Sequence, residues 1–153
     1  MTMNETASIN RFSALAVRTG LSLGVLYSVR IADFHLVLAA ASRAFAAGRS
    51  YSERDVNDIL RAWLAREGSM LAVDHVELRR WLVDCRVLVR DDYGRAYALS
   101  ELTPEIATLA AALSGADLAV VAADARARNT KAREERKRKW SANARDDGPG
   151  APA

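Results

Sequence analysis

Up to Cys85 the apolar residues recur every three or four positions, and beyond it they run together as β-formers. That switch limits the fold to helices followed by a strand pair. A first helix is expected over about residues 32–47, with Phe34, Val37, Leu38, Ala41 and Phe45 at helical spacing and Gly48 as a left-handed cap. Ser52 opens a second helix, with Asp55 three residues on as capping partner and Val56, Ile59, Leu60, Trp63 and Leu64 on one face. Asp74 with Glu77 starts a third, in which Leu78, Trp81, Leu82 and Cys85 share a face. Val87, Leu88 and Val89, the turn Asp91-Asp92-Tyr93-Gly94, and Ala96 to Leu99 then read as a β-hairpin.

Thr103-Pro104-Glu105 is a helix start, with the hydroxyl at the cap and proline at the first helical position. That helix ends at Ser114-Gly115, and a last one from about Asp117 runs into a basic segment. Residues 1–10 are polar and expected to be loose; residues 146–153, with two glycines and two prolines, read as a flexible end. The expected class is mainly α: a three-helix, winged helix-turn-helix-like module with a β-hairpin, plus C-terminal helices. Its parts are an N-terminal extension at 1–30, the module at 31–100, a helical segment at 101–124, and a basic helix with a disordered tail at 125–153. Each helix has one apolar stripe, so the three are expected to bury those stripes against one another.

The formal net charge of +3 hides a strong asymmetry. Residues 125–140 hold eight Lys or Arg against two Glu, whereas residues 31–100 hold ten of each sign. The basic character therefore belongs to the tail, and a nucleic-acid role for the module must rest on placement rather than net charge. One cysteine, Cys85, excludes an internal disulfide and fits a reducing cytoplasm. The uncharged run 19–29 is too short to span a bilayer.

Three stretches carry a family resemblance: "YSERDVNDIL" from Tyr51, "LRRWLVD" from Leu78 and "VLVRDDYGRAY" from Val87. In order and spacing they resemble the bacterial family known as domain of unknown function 2087, over about residues 49–97. The resemblance implies a setting beside helix-turn-helix regulators and no particular biochemical activity.

Three parts of the sequence are candidates for function. The third helix is a candidate DNA reader, with His75 at its start and Arg79 and Arg80 directed outward, because arginine pairs well with guanine edges in the major groove. Arg90 and Arg95 on the hairpin would touch phosphates as a wing does. The alternative is that Arg79 and Arg80 pair with Glu77 or Asp84 on a solvated face. The run "KAREERKRKW" offers Arg133, Arg136, Lys137, Arg138 and Lys139 to a nucleic-acid backbone, with Trp140 free to stack; the bland reading is a solvated helix end. Ala16, Gly20, Leu26 and Val29 have the spacing of a degenerate N-terminal helix-turn-helix or of a chance match.

Catalysis finds no support. His35, His75 and Cys85 do not form a metal set, Cys85 reads as a buried structural thiol, and the chain lacks a phosphate-binding glycine loop. No cofactor, metal or small-molecule ligand is expected. The sequence favours a non-enzymatic, cytoplasmic, transcription-associated protein on duplex DNA. It would be a homodimer through Leu109, Leu113, Leu118, Val120 and Val121. The alternative is a protein-interaction module on the same scaffold that does not bind DNA.

Overall fold

The computed structural model describes residues 2–146; the flexible end expected at 146–153 lies outside them, apart from Asp146. Along the chain run α1 (Met3–Ala16), α2 (Leu23–Val29), α3 (Ile31–Ser42), β1 (Ser50–Ser52), α4 (Glu53–Ala65), α5 (His75–Asp84), β2 (Leu88–Arg90), β3 (Ala96–Leu99), α6 (Pro104–Leu113) and α7 (Leu118–Asp146). The chain is mainly helical with a small antiparallel sheet of strand order β1-β3-β2. No single helix among the described residues is long and apolar enough to cross a membrane.

Residues 3–10, within the stretch expected to be loose, are helical. Thr2 and Glu5 form a capping box: Glu5 N–H donates to Thr2 Oγ1 at 3.2 Å and Thr2 N–H to Glu5 Oε2 at 2.7 Å. Phe12, Leu15 and Ala16 then fix α1 to the core. The helices at α4 and α5 start where expected. Ser52 Oγ accepts from Asp55 N–H, and Asp74 Oδ1 from Glu77 N–H, each satisfying a free helix-start donor.

α3 stops at Ser42, five residues early. Arg43, Ala44 and Phe45 tighten into bonds to carbonyls three residues back, and Gly48 (φ +78°) reverses the chain beyond that turn. The reversal leads into β1, which sequence periodicity did not reveal. Tyr51 is buried between exposed Ser50 and Ser52, and pairs with Tyr97 in the register Ser50↔Ala98, Tyr51↔Tyr97, Ser52↔Ala96. The Tyr51 hydroxyl accepts from Ala46 N–H at 2.8 Å, and its ring meets Phe45 edge-on at 5.3 Å. The hairpin is present as expected, with Leu88↔Leu99, Val89↔Ala98 and Arg90↔Tyr97 paired and Gly94 (φ +67°) in the turn.

One core runs from Phe12 to Ala122, through the helices and the sheet alike. At its centre α3 buries nine of its twelve residues, more than one stripe, because α6, α1 and α2 all pack on it. The expected bundle of α3, α4 and α5 is therefore only part of the packing. The residues assigned to a dimer surface are largely spent here: Leu113 and Leu118 are buried, Leu109 and Val121 pack against the core, and only Val120 is exposed. The loop before α2 joins the α4–α5 loop by two backbone bonds, Leu21 N–H to Met70 O and Ala72 N–H to Leu21 O.

Asp33 fastens α3 to α1. It accepts Arg11 Nε at 2.7 Å and Nη2 at 2.6 Å, a two-pronged pair. Those bonds hold the Asp33 carboxyl below the usual carboxylate range, against the opposing effect of burial, and raise the Arg11 guanidinium in turn. The folded-state value lies below the unfolded value of about 4, so the stabilisation is complete above roughly pH 4 and is lost as pH falls through the folded value. Asp33→Asn should cost about 1–2 kcal/mol at pH 7, since half-exposed Arg11 is screened by water. Denaturant unfolding at both ends of that window checks it. The gap between parent and variant should narrow on acidification, and a constant gap would contradict the assignment.

Candidate nucleic-acid interface

α5 lies between α4 and the hairpin, and its residues fall into three surroundings. On the core side Leu78 and Leu82 are buried, while Trp81 is half-buried against Phe34 (5.3 Å) and Tyr27 (5.8 Å). Arg79, expected to point outward, does not. Its Nη1 donates to Asn57 Oδ1 at 2.5 Å and lies 3.0 Å from Glu53 Oε1, and its guanidinium sits 6.0 Å from the Tyr97 ring centre. With 19% of its side chain exposed, Arg79 links α5 to the first turn of α4 and to β3. Neither sequence reading anticipated these partners, because both considered α5 by itself.

Arg80, one position and about 100° further around the helix, is exposed, with no ion pair or side-chain hydrogen bond among the described residues. It shares a groove of about 330 Å³ with Arg90 from the end of β2. Val76 and Val83 form the apolar part of the wall, Asp84 is its one carboxylate, and Arg79 and Tyr97 also line it. Two guanidinium groups from different elements thus face one opening, which suits an anion with several oxygens.

The other expected residues lie elsewhere. His75, the first residue of α5, has Nε2 at 3.3 Å from Arg61 Nη2, and Arg61 in turn pairs with Asp58 at 3.3 Å. Arg61 was missed as a neighbour of this end of α5 because their meeting depends on the α4–α5 turn. Arg95 is at the hairpin tip, 5.9 Å over the Tyr93 ring, with its N–H donating to Asp91 Oδ1 at 2.8 Å. That bond leads the lowering of the Asp91 carboxyl. Arg133, Arg136, Lys137, Arg138 and Lys139 are all exposed on α7, which packs along α1 rather than α5. From Arg133 to Arg145 the helix stands clear of the body for roughly 20 Å at 1.5 Å per residue. Asp117 caps its start, accepting from Ala119 and Val120 N–H.

Cys85 is half-buried, and burial followed by the Asp84 carboxylate pushes its thiol up, the reverse of an activated nucleophile. Among the described residues no group of three His, Cys, Asp or Glu side chains is placed to hold a metal ion.

The molecule is thus a mainly helical protein in which α5 and the β2–β3 hairpin frame an arginine-lined groove. Residues 30–99, from α3 through β3, match the model of a family described as an uncharacterized protein conserved in bacteria (DUF2087). The match takes in β1 and α3 as well as the motifs at Tyr51, Leu78 and Val87, and leaves α1, α2, α6 and α7 outside. No curated protein and no solved structure matches the chain.

Proposed function

We propose that this is a cytoplasmic, transcription-associated protein that binds duplex DNA through a winged helix. The order helix, strand, helix, helix, strand, strand from α3 to β3, with β1 on the far side of β3 from β2, supports that reading of the fold. In it α4 and α5 are the helix-turn-helix and the β2–β3 ribbon is the wing. The observation that carries the proposal is that Arg80 and Arg90, neither with an ion pair or side-chain hydrogen bond among the described residues, share one groove between α5 and the ribbon. Arg80 would reach base edges and Arg90 the backbone, while the basic α7 adds contacts that do not depend on sequence. A dimer would match two half-sites, through a surface other than the α6–α7 residues consumed by the core.

An Arg80→Ala, Arg90→Ala variant should bind a genomic duplex about 10–100-fold more weakly than the parent, at 1–3 kcal/mol for a lost base contact. Filter binding at about 50 and about 200 mM salt checks this, and the variant should also show a shallower salt dependence. Equal affinity in parent and variant would remove the groove from any DNA-binding role.

The exposed apolar residues of the α2 region favour a second reading. Val25 and Val29 are one turn apart, and Tyr27 and Ile31 beside them are also open to solvent. They suit a protein partner on the same scaffold. If the chain binds no duplex at low salt, this reading takes precedence.

A further inference from the structure

Where α7 leaves the body, three segments distant in sequence converge: the turn after α1, the turn after α4 and the middle of α7. Arg126 joins them. Its Nε donates to the Ala16 carbonyl at 2.9 Å, Nη1 to the Arg66 carbonyl at 2.7 Å and Nη2 to the Glu67 carbonyl at 3.4 Å. These carbonyls lie at the ends of α1 and α4, where helices leave acceptors without intrahelical partners. Burial lowers the Arg126 guanidinium and the Glu67 carboxylate raises it, yet an arginine stays charged at neutral pH. Three of its five N–H donors go to neutral carbonyls, which leave its positive charge uncompensated in the wall of whatever lies above.

What lies above is a cleft of about 220 Å³. Arg18 and Thr19 border it from the turn after α1, Ser69 from the turn after α4, and Asn129, Thr130 and Arg133 from α7. Two guanidinium groups, three hydroxyls and a carboxamide therefore face one opening. Unlike the groove beside α5, which includes Asp84, it is lined by no carboxylate. Glu67, whose charge acts on Arg126, lines a different groove, toward α3 and the α6–α7 turn. Arg18 and Arg133 make no ion pair or side-chain hydrogen bond among the described residues. Uncompensated forked donors beside hydroxyls are the chemistry that holds a phosphate, whose several oxygens accept from several directions.

We propose that this cleft binds a phosphate group, as the first station of a track along α7. Arg133 faces the cleft, so helical spacing places Arg136, Lys137 and Trp140 on the same side, three, four and seven residues on. Glu134 and Glu135 are turned away by roughly 100° and 200°. A row of cations beginning at a built pocket fits consecutive backbone phosphates better than an isolated anion. The inference uses neither the winged-helix reading nor the α5 groove.

Backbone amide shifts of the ¹⁵N-labelled full chain test it, read at Thr19, Ser69, Asn129 and Thr130. Inorganic phosphate is titrated first, against chloride at matched ionic strength, and then a short DNA duplex. Phosphate should shift these amides in a saturable way, and an Arg18→Gln, Arg133→Gln variant should lose the response. Both side chains are exposed, so the variant's fold is checked by its unchanged circular dichroism. Duplex affinity should fall about tenfold in this variant and less than about twofold in Arg138→Gln, which lies off the track. Saturable phosphate shifts with no duplex response would support the cleft and assign it to a free phosphate or nucleotide. Shifts no larger than with chloride, together with unchanged duplex affinity in the double variant, would overturn it. Arg80→Ala, Arg90→Ala should leave the phosphate response intact, which separates failure of this site from failure of the α5 groove.

Discussion

A chain ending at Ser100 will not unfold cooperatively, although it contains the whole family-matched segment. The reason is α3, whose nine buried residues are covered largely by helices outside that segment. Removing α6 and α7 takes away Ile106, Leu113 and Leu118, all at or below 6% exposure, and uncovers the face of α3 beneath them. At about 1.5–3 kcal/mol for each fully buried aliphatic side chain, the three alone amount to roughly 5–9 kcal/mol. A domain of this kind has a total stability of about 5–15 kcal/mol. The truncated chain should bind a hydrophobic dye and give a broad urea transition, whereas the full chain should give a single sigmoid. A sharp transition in the truncated chain would show that residues 1–100 close their own core without α6 and α7.

Gly68→Ala will destabilise the protein by about 3 kcal/mol, against the usual gain of about 0.4–1 kcal/mol when an unstrained glycine becomes alanine. Gly68 N–H donates to the Trp63 carbonyl at 2.9 Å, which folds the turn after α4 back over the Trp63 ring. A methyl group there would come within 3.0 Å of ring atoms Cζ3, Cε3 and Cη2. Trp63 is 4% exposed, so displacing its ring disturbs the core contacts around it. For a chain of this size the change corresponds to a fall of about 10 °C in Tm, measurable by calorimetry. Gly115→Ala is the control, since nothing lies within 4 Å of its added carbon, and it should leave stability level or slightly higher.

Helices α4 and α5 were legible because each combines an acceptor side chain at its start with a continuous apolar stripe, as in Ser52 with Val56, Leu60 and Trp63. The hairpin was legible because the turn around Gly94 separates two runs of β-formers. β1 was not, since a three-residue strand has too few positions to display a period, and its identity depends on Tyr97 lying opposite Tyr51. The start of α1 was hidden for another reason: Thr2 and Glu5 make a sound cap, but its first buried residue, Ser8, is polar. At the groove, sequence brought forward Arg80 and Arg90 correctly as exposed side chains and misjudged Arg79. Helical spacing separates inside from outside on one helix, but Glu53 and Asn57 become partners only once α4 and α5 cross.

The joint at Arg126 divides tolerance to mutation unevenly. All three acceptors are main-chain oxygens, which every amino acid supplies, so residues 16, 66 and 67 can drift in sequence without loosening it through lost acceptors. The donor has no such freedom, because lysine lacks the planar fork that reaches three oxygens at once. A single codon therefore sets the polar half of the joint that, beside the packing of α7 along α1, ties the exposed end of that helix to the body as one lever.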